Sequence, residues 1–122
     1  MPFQFVLANL LADNEGASGA LFLDDTGETI ELACAGEEPE DLRVLGAYLG
    51  IYLRQLEQLV AGGGMGETRV IHIERGWLNV YVAPMPEGYH LALVQTRPGL
   101  TAQARRTLER AARELQAELF PA

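Results

Sequence analysis

The chain has 122 residues, of which 48% are hydrophobic and 21% charged, and a formal net charge of −8; these values predict one ordinary folded domain spanning residues 1–122 and exclude a disordered polypeptide. The negative charge repels phosphate backbones, so nucleic acid is not an expected partner, and apolar runs break off well short of the roughly 20 residues a membrane span needs, so no membrane insertion is expected. Cys34 is the single cysteine, which rules out an internal disulfide and a cysteine-rich zinc site.

Residues 1–14 are apolar without a basic leader or a small-residue cleavage pattern, so no signal peptide is expected and the reading is cytoplasmic. Within them Phe3, Val6, Leu7, Leu10 and Leu11 recur at helical spacing and predict a short first helix over 2–12, followed by a small, polar break over 14–19. Residues 19–23 read as a buried strand. Asp24, Asp25, Thr26 and Gly27 turn into a second strand over 28–35, where Thr29 and Glu31 alternate with Ile30, Leu32 and Cys34, the cysteine being expected as a buried thiol. Pro39 followed by Glu40 and Asp41 starts a helix, because proline gives up no needed amide there and acids suit the positive end of the dipole. That helix runs over 39–60 and ends in Gly62, Gly63, Gly64, Met65 and Gly66. Three strands over 68–74, 77–83 and 89–96 follow, rich in β-branched and aromatic residues and separated by Arg75-Gly76 and by residues 84–88. Pro98 and Gly99 punctuate their end. Thr101 caps a last helix whose stripe is Ala104, Leu108, Ala111, Ala112, Leu115 and Leu119.

The middle helix carries the functional signal. Leu42, Leu45, Leu49, Tyr52, Leu53, Leu56, Leu59 and Val60 form the side expected against the sheet, and Val44, Tyr48 and Ile51 widen the apolar arc to roughly 200°, where one packed face needs little over 100°. Leu42, Leu45, Leu49, Tyr52, Leu56 and Leu59 also step by three and four, the spacing of a helix-helix seam, with Gly46, Ala47 and Gly50 allowing a second backbone to come close. In so short a chain the surplus predicts a homodimer.

The element order, with Gly19-Ala20-Leu21-Phe22-Leu23-Asp24 leading into Asp25-Thr26-Gly27, the long apolar second helix, and the strands through Gly76 and Gly88 to Leu91-Ala92-Leu93-Val94, resembles the Roadblock family of dynein-light-chain-related modules, in particular its stand-alone bacterial members of the MglB type. The resemblance implies an α+β fold: a five-stranded antiparallel, Roadblock/profilin-like sheet with the second helix on one face and the first and last helices on the other. It implies pairing through the second helix and third strand, giving a dimer interface of Val44, Tyr48, Ile51, Gln55, Arg69, Ile71, His72 and Glu74. It also implies a regulator or adaptor that binds a small Ras-like GTPase and modulates its nucleotide cycle, with the exposed helix flank of Arg43, Ala47, Gly50 and Arg54 as the partner surface. A dimeric scaffold that leaves hydrolysis unchanged is the alternative, and a small-ligand sensor of profilin-like architecture a third reading. The abbreviated first helix departs from longer bacterial members.

Other constellations carry less. The glycine run follows a helix and precedes a strand, the reverse of a phosphate-binding loop, and no Gly-Lys-Ser/Thr follows it. His72 and His90 are the only histidines and lack partners at ligand spacing, Ser18 lacks a nucleophile elbow, and adjacent Asp24 and Asp25 suit a turn better than acid-base work. The sequence thus predicts no catalytic residue, no cofactor or metal site, and no enzyme. Arg105, Arg106, Arg110 and Arg113 share the last helix with Glu109, Glu114 and Glu118 and read as a solvated, locally paired face. Trp77 and Tyr81 read as covered residues on one strand face.

Overall fold

A computed structural model describes residues 2–96 and 99–121. The elements follow the predicted order: α1 (Pro2–Ala12), β1 (Ala17–Leu23), β2 (Thr29–Cys34), α2 (Pro39–Val60), β3 (Ile71–Glu74), β4 (Asn79–Pro84), a 3-10 turn (Pro86–Gly88), β5 (His90–Gln95) and α3 (Thr101–Leu119). The strands form one antiparallel sheet in the order β2-β1-β5-β4-β3. Alternation along the strands sends every second side chain to the same face. Leu21, Leu23, Val80, Val82, Ala92 and Val94 pack under Leu42, Leu49 and Leu53 of α2. Phe22, Tyr81, Leu91 and Leu93 on the opposite face pack under Leu7 and Leu10 of α1 and Leu108 and Leu115 of α3. This is the expected α+β arrangement, α2 alone on one face and α1 with α3 on the other.

The predicted polar break after α1 hides a structural role. Asn14 is buried, and its side-chain amide donates to the Leu10 carbonyl (2.9 Å) and to Thr107 Oγ1 (2.8 Å), tying α1 to α3. The strand after it starts at Ala17, two residues earlier than predicted.

Several boundaries and burials differ from the expectations, each for a local reason. β3 starts at Ile71 instead of residue 68, and Arg69, outside the ladder, pairs with Glu109 of α3 at 3.1 Å. The Arg75 amide donates to the Leu78 carbonyl (2.7 Å), so the β3–β4 turn takes in Trp77, which is 71% exposed instead of covered. Tyr81 is buried as expected. Cys34 ends the edge strand β2 and is exposed, not the buried thiol expected. Thr101 is the first residue of α3 instead of its cap; Leu100 occupies the cap position without a side-chain bond. Pro98 lies outside the described residues.

Candidate functional site

Proline at the start of α2 and Glu40 and Asp41 in its first turn favour the helix where they stand. Its buried line is Leu42, Gly46, Leu49, Gly50 and Leu53. The helix is therefore rotated away from the expected seating. Leu45 and Leu56 are only half-buried, while Tyr52 and Leu59, placed in the sheet-facing set by sequence, are 62% and 80% exposed. The seam expected along Leu42, Leu45, Leu49, Tyr52, Leu56 and Leu59 is divided between core and solvent.

The rotation is set by two glycines. A Cβ on Gly46 would lie 2.8 Å from Leu23 Cδ2, and one on Gly50 would lie 2.5 Å from Gly27 Cα. The backbone that approaches α2 is thus the chain's own β1–β2 turn, and Gly50, expected on an exposed partner-binding flank, is buried beneath it. Gly27 itself takes φ +85 to make the approach. Asp24 braces this turn: its Oδ1 accepts from the Thr26 amide (2.9 Å), the Thr26 hydroxyl (2.7 Å) and the Glu28 amide (2.9 Å). Slight burial acts the other way, but these bonds hold the Asp24 carboxyl below its ordinary pKa. Arg54 donates to the Asp25 carbonyl at 3.0 Å and Arg43 to Glu40 Oε1 at 2.8 Å. Arg43 and Ala47 line, with residues 26–29, a shallow groove of about 400 Å³.

At about 100° per residue, the helix surface opposite the buried line of Leu42, Gly46, Leu49 and Leu53 faces away from the sheet. Val44, Tyr48, Ile51 and Tyr52 lie on it, exposed by 55, 57, 51 and 62%. Gln55 continues the line and is exposed. On the same side of the sheet β3 presents Ile71 and Ile73, paired with Val82 and Val80, and Ile73 is 38% exposed. β3 ends the sheet, and its outer backbone edge is unpaired among the described residues. Its alternate residues face the other way, where His72 stacks on Tyr81 (ring centroids 4.3 Å apart) and bonds to Asn79 Oδ1 (2.9 Å).

The structure therefore brings Val44, Tyr48, Ile51 and Gln55 onto one helix surface, with Ile71 on the same side of the sheet. It puts His72 and Glu74 on the other side of the edge strand and draws Arg69 to α3. Sequence reasoning missed Tyr52, Leu59, Ile73 and Trp77. The Gly46/Gly50 pair, four residues apart, was the available signal for the first two: close packing on that flank turns the opposite flank outward.

Among the described residues no cluster of three or more His, Cys, Asp or Glu could hold a metal ion, and no helix is long and apolar enough to cross a membrane. The arginines of α3 are only partly paired. Arg110 meets Asp13 and, at 3.8 Å, Glu114, and Arg106 bonds to Gln103.

A five-stranded antiparallel sheet with α2 on one face and α1 and α3 on the other is the Roadblock/LC7 fold, as comparison with solved structures shows. The chain is similar to a gliding protein MglB from Thermus thermophilus, with a TM-score of 0.84 at 20% identity over 94% of this chain and 86% of that one. It is similar to an MglB solved in a tetrameric arrangement, with a TM-score of 0.83 at 22% identity over 94% and 88% of the two chains. It is also similar to a Roadblock/LC7 domain from Streptomyces avermitilis, with a TM-score of 0.79 at 17% identity over 94% and 95%. No protein-family model and no curated protein matches the sequence.

Proposed function

We propose that this single-domain protein is a cytoplasmic homodimer that binds a small Ras-like GTPase and modulates its nucleotide cycle by holding the switch loops, without being an enzyme itself. The observation that carries the reading is the exposure of Val44, Tyr48, Ile51 and Tyr52 on α2, with Ile73 exposed at the open edge of β3 on the same side of the sheet. An apolar patch of this kind marks a protein interface, and an open strand edge is a template for pairing. Two copies related by a two-fold axis pair β3 with β3 and α2 with α2, covering both features at once. Val44, Tyr48, Ile51, Gln55 and Ile71 form the centre of that interface, and Arg69, His72 and Glu74 lie at its margin. The tetrameric arrangement of a structurally similar MglB supports self-association.

The partner surface is the other flank of α2: Arg43, Ala47 and Arg54 beside the β1–β2 turn, with Gly50 contributing by seating that turn. The shared fold with MglB supports a regulatory role. The test is GTP turnover by a small Ras-like GTPase, measured as the protein is titrated in. A saturable change in rate is expected. Binding with unchanged turnover would instead make the protein a scaffold.

A further inference from the structure

A cavity of about 720 Å³ lies away from both surfaces, where the end of α2 meets the glycine run and the start of β5. Its volume falls in the range of small-ligand pockets, roughly 300–1,000 Å³. Apolar walls come from Val60, Pro84 and Met85, and polar groups converge from Glu57, Glu67 and His90.

The glycine run forms its rim. Gly62, Gly64 and Gly66 adopt φ of +78, +67 and +82, and no atom lies within 4 Å of the Cβ position at any of the three. These glycines serve a backbone path that arches clear of the protein, not close packing. Met65, 71% exposed, stands on the same rim.

His90 is only 9% exposed. Burial pushes its imidazole below the ordinary histidine pKa, and the Gly88 carbonyl and the Glu57 charge pull the other way without reversing the shift. The ring is one of the groups lining the cavity, beside Gly88. A neutral imidazole nitrogen that carries no proton is an acceptor.

The sign of the site follows from its walls. Two carboxylates line it, the negative end of the α2 dipole points at it, and no arginine is among the lining residues. That setting repels phosphate and carboxylate ligands and favours donors of positive charge. We propose that the cavity binds a cationic nitrogen group, a guanidinium or primary ammonium, which donates to Glu57 and to the unprotonated nitrogen of His90 while its alkyl stem packs on Val60, Pro84 and Met85.

Such a group belongs either to a small polyamine-like molecule or to an arginine or lysine side chain of another polypeptide. Backbone NMR of the intact protein, titrated with agmatine, with a blocked Gly-Gly-Arg-Gly-Gly peptide and with butyrate, separates the cases. Saturable shifts at Gly62, Gly64, Gly66 and His90 with the two cations and none with butyrate are expected. Tighter binding of the peptide assigns the site to a protein segment, and tighter binding of agmatine to a small molecule. Glu57→Gln, at an exposed position that leaves the fold intact, should weaken binding about tenfold, as should His90→Gln. Absence of saturation with both cations, equal binding of butyrate, or an unchanged affinity in Glu57→Gln overturns the proposal.

Discussion

A methyl group on Gly50 has nowhere to go: its carbon would fall 2.5 Å from Gly27 Cα and 2.8 Å from Gly27 N, and both are backbone atoms that cannot swing aside. Gly50→Ala must therefore push the β1–β2 turn off α2, with a cost of about 1–3 kcal/mol, typical of overpacking a close contact. Gly76→Ala is the control, since no atom lies within 4 Å of its Cβ position and its replacement should stay within about 0.5 kcal/mol of the parent. Urea unfolding compares the two. Equal midpoints would show that Gly50 does not seat the turn. Glycine at positions 46 and 50 permits a close approach without fixing whose backbone makes it, because that depends on a turn about twenty positions earlier in the chain. The same limit explains Cys34 and Trp77: alternation places a residue on a face, and exposure at a strand end or in a turn depends on what the neighbouring elements cover.

At the level of elements, α2 was legible in extent and in having more apolar surface than one sheet can bury. The pattern of prolines, acids and glycines that bounds it acts locally, so its ends at Pro39 and Val60 were readable from sequence. Its rotation was not, because Leu45, Tyr52 and Leu56 fit a sheet-facing stripe nearly as well as Leu42, Leu49 and Leu53, and only the glycine contacts decide between them. The consequence for assembly is specific. Ile51 is 51% exposed in the protomer, so Ile51→Asp leaves the folded chain intact, yet in a two-fold interface it places two unpaired carboxylates in an apolar seam. Sedimentation should show a dimer at micromolar concentration for the parent and an affinity lowered by about a hundredfold or more for the variant. A monomeric parent, or a variant that sediments as the parent does, removes α2 from the interface.

Across the whole molecule, the chain order of helices and strands could be read from turn residues and apolar periodicity, whereas the division of the helices between the two faces followed only from the resemblance to the Roadblock family; the similarity to an MglB structure extends over 94% of the chain. What the order could not reveal is how the basic residues are spent. Five of the nine, Arg69, Arg105, Arg106, Arg110 and Arg113, lie on or against α3, on the face of the sheet opposite the proposed partner surface. Arg43 and Arg54 are the two basic residues of α2 itself, and both are engaged within the chain, Arg54 on the Asp25 carbonyl and Arg43 on Glu40. An arginine finger has to leave its own protein and enter the partner's active site, where it contributes about 10³ or more to the rate. Side chains held on a rigid helix by bonds to their own turn and first helical turn suit docking and the shaping of that surface. Arg43→Ala and Arg54→Ala should therefore weaken the complex and lower stimulation in step, with full activity regained at high concentration of either variant. Arg54→Ala should have the larger effect, because it also releases the β1–β2 turn. The measurement is GTP turnover by the partner GTPase across a titration of each variant, with complex formation followed in parallel. Recovery at saturation supports regulation through conformation. A variant that binds fully and gives no stimulation at any concentration identifies that arginine as a finger and overturns the conformational reading.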